Sequence, residues 1–337
     1  MSVEKLTIPA DYHAALGIRE TEIAIKLIKD TFERELAKQL NLTRVSAPLF
    51  VRPESGLNDD LNGVERPVRF DVKDSGQVVE IVQSLAKWKR LALKAYGFHE
   101  GEGLYADMNA IRRDEDLDNL HSVYVDQWDW ERVITKEERT LAFLEETVKK
   151  IYQALKDTET AVLEAFPSVQ RYIPEELCFM TAQELEDRYP SLSPKEREDA
   201  VAKEFGAVFI MQIGGALRSG IPHDGRAPDY DDWALNGDLL IYYPILGQAV
   251  ELSSMGIRVD EEAMARQLKI ANAEERKERR FHKALLNGEY PLTIGGGLGQ
   301  SRICMLMLGK AHIGEVQSST WGGAIRKACK EAGIFLL

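Results

Sequence analysis

Apolar positions along the chain follow helical spacing in some stretches and strict alternation in others. Over residues 18–40, Ile28, Phe32, Leu36 and Leu40 recur at every fourth position, a stripe that predicts an amphipathic helix. Residues 44–51 read as an extended segment that Pro48 places at an edge. A polar loop spans 54–62, and Val68, Phe70 and Val72 then alternate with Arg69 and Asp71 as in a half-buried strand. A basic helix is expected over 83–96 and a strand over 104–112. The most informative strand is 121–134, where Val123, Val125, Gln127, Asp129 and Glu131 share one face and Tyr124, Asp126, Trp128 and Trp130 the other. Its first face begins apolar and becomes acidic and amide-bearing.

A long helix is expected over 136–165, then two or three short helices over 166–205, punctuated by Pro167, Pro174, Pro190 and Pro194. Strands follow at 207–213, 239–245 and 248–259, the first two separated by a polar loop, 219–237. Asp260 is placed to cap a helical run to about residue 287. A glycine-rich turn at 293–299 then leads into a helix through Leu308, and a short helix closes the chain. Strands and helices do not alternate regularly, so the fold class is α+β, a mainly antiparallel sheet flanked by helices. The expected organisation is one domain over 1–337 with a helical insertion at about 140–205.

Composition narrows the classes of function. The 337 residues are 44% hydrophobic and 29% charged, typical of a globular protein. No apolar run approaches a membrane span, and the opening residues lack the basic and apolar regions of a signal peptide, so cytoplasm is the expected compartment. Lys and Arg number 43 against 55 Asp and Glu, a net charge of −12 without a basic patch, which argues against nucleic acid as a partner. Cys178, Cys304 and Cys329 have no metal spacing and read as free thiols, with a nucleophilic role the minor alternative.

Three clusters carry candidate chemistry. Arg112-Arg113-Asp114-Glu115-Asp116, followed by Gln127, Asp129 and Glu131, is either a charged turn with a strand edge or a site. As a site, it sets an arginine fork suited to phosphate beside an acidic and amide-bearing strand face on which Gln127 and Asp129 suit an ammonium group. Arg226 to Trp233, with Asp238, Glu251 and Ser253, is either a solvated acidic loop with an ordinary strand or a convergence of carboxylates. The second alternative suits Mg²⁺, which takes one or two carboxylates plus phosphate oxygens. Gly295-Gly296-Gly297-Leu298-Gly299-Gln300-Ser301-Arg302 is either a tight turn or a place for close backbone approach to phosphate. It is neither a P-loop nor a dinucleotide fingerprint. Arg302 in a first helical turn opposes the helix dipole, which favours a binding role.

Together these clusters resemble class II aminoacyl-tRNA synthetases, the aspartyl and asparaginyl group in particular. The Arg-Arg-Asp-Glu-Asp run with Gln127-x-Asp129-x-Glu131 is similar to that group's second motif, and Gly297 to Arg302 to its third. Closer still is the resemblance to ammonia-dependent asparagine synthetase (aspartate–ammonia ligase), carried by Ser84 to Arg90, His121 to Glu131, Arg226 to Trp233 and Glu251 to Asp260. It covers nearly the whole chain. The resemblance implies an aspartate subsite of Asp59, Ser84, Gln127, Asp129, Asp231 and Arg258. It implies an ATP subsite of Lys89, Arg112, Ser122, Asp238, Glu251, Ser253, Ser254, Gly297 and Arg302, with Asp238 and Glu251 on Mg²⁺. Asp59, Arg112 and Arg302 are the implied catalytic residues. Val64 stands where some relatives carry a cysteine, which argues against an obligatory thiol there.

The implied reaction makes L-asparagine from L-aspartate, ammonia and ATP through a β-aspartyl adenylate, on a homodimer. Two rivals stay open at this point: a tRNA-charging paralogue and a non-catalytic synthetase-like module. A glutamine-using synthetase is disfavoured, since that class places a cysteine directly after Met1 and Ser2 stands here.

Overall fold

A computed structural model describes residues 5–61 and 65–337; Ser2, Asn62, Gly63 and Val64 lie outside the described residues. The first half of the chain runs α1 (Ile18–Leu40), β1 (Leu42–Arg44), β2 (Phe50–Val51), β3 (Arg69–Val72), β4 (Gln77–Ile81), α2 (Ala86–Ala95), β5 (Gly103–Ile111), β6 (Tyr124–Val133) and α3 (Leu141–Ala165). The second half runs β7 (Cys178–Thr181), α4 (Ala182–Arg188), α5 (Pro194–Phe205), β8 (Ala207–Met211), β9 (Asp231–Tyr243), β10 (Gln248–Arg258), α6 (Glu261–Ile270), α7 (Arg280–Leu286), β11 (Thr293–Gly299), α8 (Gln300–Met307) and α9 (Gly323–Glu331).

Eight strands form one sheet in the order β1-β5-β6-β11-β10-β9-β8-β7, and β2, β4 and β3 form a small second sheet. The inner pairings of the large sheet are antiparallel, whereas the outermost pairs, β1 with β5 and β7 with β8, are parallel. The expected mainly antiparallel sheet is therefore present but mixed, with parallel pairs at both edges. Its two edge strands follow helices or long connections, which is what parallel pairing requires.

The apolar stripe of α1 is buried as expected, and the helix ends where Asn41 turns left-handed at φ 56°. That stripe packs with α3, α8 and α9 against Trp128, Trp130, Phe209, Met255 and Leu298 on one face of the sheet. The opposite face is covered at one flank by α2 and at the other by α4 and α5. Between those flanks β6 and β10 present polar side chains, with the glycines of β11 lying between them. Among the described residues, no helix is long and apolar enough to cross a membrane.

Four expectations need correction. The segment expected as a helical insertion carries a strand, β7, which pairs with β8 and extends the sheet. Residues 231–237, expected in a polar loop, begin β9: Asp231 lies opposite Arg258, and the Asn236 amide exchanges hydrogen bonds with the Ile213 backbone, both at 2.9 Å, so these polar side chains enter the ladder with their partners supplied. The glycine run is strand β11 rather than a turn, since its alternate positions must clear neighbouring side chains. A Cβ at Gly295 would collide with the Glu131 carboxylate, and one at Gly297 with the Gln127 amide. The helical run after Asp260, whose carboxylate does accept from Ala263 N at 2.8 Å, stops at Ile270, because Asn272 takes a left-handed φ of 52°.

Candidate active site

The polar face of β6, β11 and β10 floors a cavity of about 490 Å³. Its walls come from the Asp59 loop, the turn after β5, residues 224–231 and the start of α8. Of the residues expected in a site, Asp59, Ser84, Arg112, Ser122, Gln127, Asp129, Asp231, Glu251, Ser254, Arg258, Gly297 and Arg302 line this one cavity. Lys89, Asp238 and Ser253 do not.

At one end stands Arg258, 3% exposed. Its Nε donates to Glu131 at 3.0 Å, Nη2 donates to Glu131 at 2.9 Å, and Nη1 donates to Asp231. Guanidinium carries five N–H bonds; three are engaged, and two remain for a ligand. Burial alone would lower its basicity, but Glu131 and then Asp231 outweigh burial and hold it firmly charged. Beside it, Asp129 accepts from Lys89 and from Leu85 N at 3.2 Å. Lys89 also donates to the carbonyls of Trp130 at 2.7 Å and Gly296 at 3.2 Å, which uses all three ammonium protons. Lys89 is thus a buried counter-ion behind Asp129 and Glu131, not an open phosphate ligand.

Asp59 faces the same end. Its carboxylate accepts from Ser84 Oγ and Leu61 N, each at 2.9 Å. Burial raises its pKa above the ordinary carboxylate value, and the nearby Lys87 ammonium opposes that rise. Gln127 lies midway along the floor against Gly297.

The other end is built differently. Arg112 follows β5, and its Nε is buried without a hydrogen-bond partner. Arg302, in the first turn of α8, donates to the Glu251 carbonyl at 3.0 Å, with the Glu251 carboxylate 3.9 Å away. Ser122 Oγ donates to Ser319 Oγ at 2.8 Å. Asp238 is paired with Arg226, and its second oxygen is buried without a partner. Burial raises the Asp238 pKa, Glu251 adds to the rise, and Arg226 opposes it.

A model of the aspartate-ammonia ligase family matches residues 19–333. The chain belongs to the aspartate–ammonia ligase family. It is 64% identical over 336 residues to the aspartate–ammonia ligase of Clostridium perfringens strain SM101, covering 99% of this chain and 100% of that one. Against the aspartate–ammonia ligase of Levilactobacillus brevis the identity is 59%, with 98% and 99% covered. Among solved structures, the asparaginyl-tRNA synthetase of Pyrococcus horikoshii complexed with asparaginyl-adenylate superposes with a TM-score of 0.62 at 15% identity, covering 89% of this chain and 69% of that one. The aspartyl-tRNA synthetase of Entamoeba histolytica gives a TM-score of 0.57 at 15% identity, with 88% and 58% covered. The fold is therefore that of these synthetases, and the chain is an enzyme, a ligase of asparagine biosynthesis.

In this ligase, Ser253 was expected on the cavity face with Glu251. A bulge between them breaks the alternation, because Glu251 pairs with Leu240 and Ser253 with Leu239. Ser254 takes the cavity face, while the Ser253 hydroxyl donates to the Gly297 carbonyl at 2.9 Å. Sequence reasoning also passed over Glu131 as a site residue, Arg226 and Tyr230, though all stand in the quoted motifs. Glu131 could have been found from its place on the face of Asp129, opposite a glycine. None of the ligase's three cysteines lines the cavity, and burial pushes Cys304 up to about 12 and Cys329 up to about 11, which leaves those two thiols protonated near neutrality.

Among the described residues, no three His, Cys, Asp or Glu are grouped to hold a metal. The unpartnered oxygen of buried Asp238 and the half-exposed carboxylate of Glu251 nevertheless offer two hard oxygen donors beside the cavity. That set fits Mg²⁺ arriving with phosphate oxygens of its own.

Proposed function

We propose that the ligase activates the β-carboxylate of L-aspartate with ATP and passes the resulting acyl adenylate to ammonia. The observation that carries the reading is the position of Arg258. It stands beside Glu131, whereas Arg112 donates its backbone N–H to Val123 at the other end of β6. At strand rise this separates the two arginines by roughly 26 Å of backbone, with both side chains lining one cavity. Arg258 holds the α-carboxylate through its two remaining N–H bonds, so the β-carboxylate points toward the phosphate end. A synthetase that charges tRNA requires the opposite choice.

Gln127 and Asp129 hold the substrate amino group, and Lys89 holds the Asp129 carboxylate in place. Arg112 takes the α-phosphate and Arg302 the γ-phosphate, where they offset charge developing at phosphorus. Asp238 and Glu251 would hold Mg²⁺, which supplies further neutralisation of the triphosphate when bound. The β-carboxylate oxygen bonds to the α-phosphorus and pyrophosphate leaves. Ammonia then bonds to the acyl carbon, and AMP leaves with that carboxylate oxygen. Asp59, beside Ser84, bounds the aspartate subsite, and it is also suited to take the proton that ammonium must first give up because burial raises its basicity.

The test is product analysis with aspartate carrying heavy oxygen in its β-carboxylate. Asparagine, AMP and pyrophosphate should form in equal amounts, with one heavy oxygen in the AMP phosphate. ADP with labelled orthophosphate would overturn the adenylate. Added tRNA should change nothing, and ammonia-free glutamine should support synthesis poorly; aspartyl-tRNA or asparaginyl-tRNA formation would reverse the assignment.

A further inference from the structure

Behind the cavity wall lies a buried charge cluster in which no member lines the cavity. Its centre is Asp229, fully buried. One carboxylate oxygen of Asp229 accepts from His282 Nε2 at 2.8 Å and from Arg276 Nη1 at 3.2 Å, and lies 3.0 Å from Lys87 Nζ. Lys87 and His282 are themselves buried, on α2 and α7. Burial would raise the Asp229 pKa; Lys87 first, then His282 and Arg276, outweigh it and keep the carboxylate charged.

The cluster's other contacts give it a purpose. Lys87 Nζ also donates to the Asn58 carbonyl at 3.1 Å, and Arg276 Nη1 also lies 3.6 Å from the Asp60 carboxylate. Both chain neighbours of Asp59 are therefore bridged to Asp229, each by a separate cation. Asp229 is in turn two residues before Asp231, and the strand end between them is pinned from the far side. Gln267 Nε2 donates to the carbonyls of Pro228 at 3.1 Å and Asp231 at 2.9 Å. A lone buried carboxylate on a loop is costly. Here it joins a loop to a strand end that are 170 residues apart in sequence, between Asp59 and Asp229.

We infer that the Lys87–Asp229–His282 cluster is a positioning device for aspartate, setting Asp59 against the Asp231–Arg258 pair from outside the cavity. The inference rests on the proposed roles of Asp59 and Arg258. His282 is its most testable member, since Nδ1 has no partner and the ring's one hydrogen bond is the N–H donated to Asp229, beside an edge contact with Phe281.

The experiment compares His282→Leu, His282→Gln and Asp59→Asn in the full chain, measuring KM for aspartate, KM for ATP, kcat and the melting temperature. His282→Leu removes the donor and frees Asp229 to move. A displacement of about 1 Å at a positioned group costs on the order of 10- to 100-fold. The expected result is a rise of that size in aspartate KM with ATP KM within about twofold of wild type. His282→Gln replaces the imidazole donor with an amide N–H of similar reach and should restore most of the aspartate KM. A merely structural role would lower the melting temperature and raise both KM values together, with no rescue by glutamine, and that outcome overturns the inference. An unchanged aspartate KM in a folded His282→Leu also overturns it, provided Asp59→Asn is impaired. If Asp59→Asn itself leaves aspartate use intact, the assigned role of Asp59 is what has failed.

Discussion

The two ends of the cavity share one sheet face and differ in how their charges are met. At the Arg258 end, Arg258 meets Glu131 and Asp231, and Lys89 meets Asp129 and Glu131, all nearly sealed from water. At the Arg112 end, the Arg112 Nε and one Asp238 oxygen lack partners, and Arg302 is held mainly by a backbone carbonyl. The contrast matches the ligands proposed for each. Aspartate is small and brings two carboxylates and an ammonium group, so a pre-paired network can select it with little rearrangement. A metal-bound triphosphate brings excess negative charge, and the Arg112 Nε and the remaining N–H groups of Arg302 are donors kept for it.

The largest expected effect comes from opening the paired end. Lys89→Met removes the cation but leaves Asp129 and Glu131 buried beside each other. Breaking a buried pair this way costs about 3–5 kcal/mol, so the variant should unfold at markedly lower denaturant than wild type. Near-native stability would mean that Arg258 alone can hold both carboxylates, and the paired end would be less interdependent than it looks.

Arg302→Ala addresses the open end. Loss of a preorganised donor should remove about 2–4 kcal/mol of transition-state stabilisation, seen as a fall in kcat/KM for ATP. Folding stability should barely change, because Arg302 makes no short ion pair. A folded variant with wild-type kcat/KM for ATP would remove Arg302 from the site.

A smaller effect is expected from acid. His312 is fully buried; its Nδ1 accepts from Gly314 N at 3.0 Å, in the turn whose Ile313 lines the cavity. Desolvation lowers its pKa to about 4. The unfolded chain binds a proton at the ordinary histidine value while the folded chain does not, so this contribution is complete near neutrality and is lost as pH falls below about 6.5. Near pH 5 the loss should be about 2 kcal/mol. Denaturant titrations of wild type and His312→Gln at several pH values check this. Parallel pH dependence in the two proteins would show that His312 does not titrate as its surroundings demand.

How much of this was legible in sequence depended on whether a feature was periodic. The α1 stripe and the two faces of β6 were readable because burial imposes its period directly on residue choice. The bulge between Glu251 and Ser253 was not, since an inserted residue leaves no compositional trace, and it moved Ser253 off the cavity face. The glycines of β11 read as a turn because glycine usually marks one; their reason is the bulk of Glu131 and Gln127 on the next strand, a long-range fact. Lys89 was placed in the ATP subsite by the resemblance alone, since the sequence displays its charge but not its burial. The Asp229 cluster, assembled from three distant segments, gave no sequence signal at all.

Arg258→Lys probes the division between the two ends most directly. Lysine keeps the charge but loses the planar fork. Charge-assisted contacts of this kind are worth about 1.5–3 kcal/mol, so aspartate KM should rise roughly tenfold or more while ATP KM stays near wild type in the same folded preparation. A wild-type aspartate KM, or equal rises in both constants, would contradict the assignment of Arg258 to the α-carboxylate.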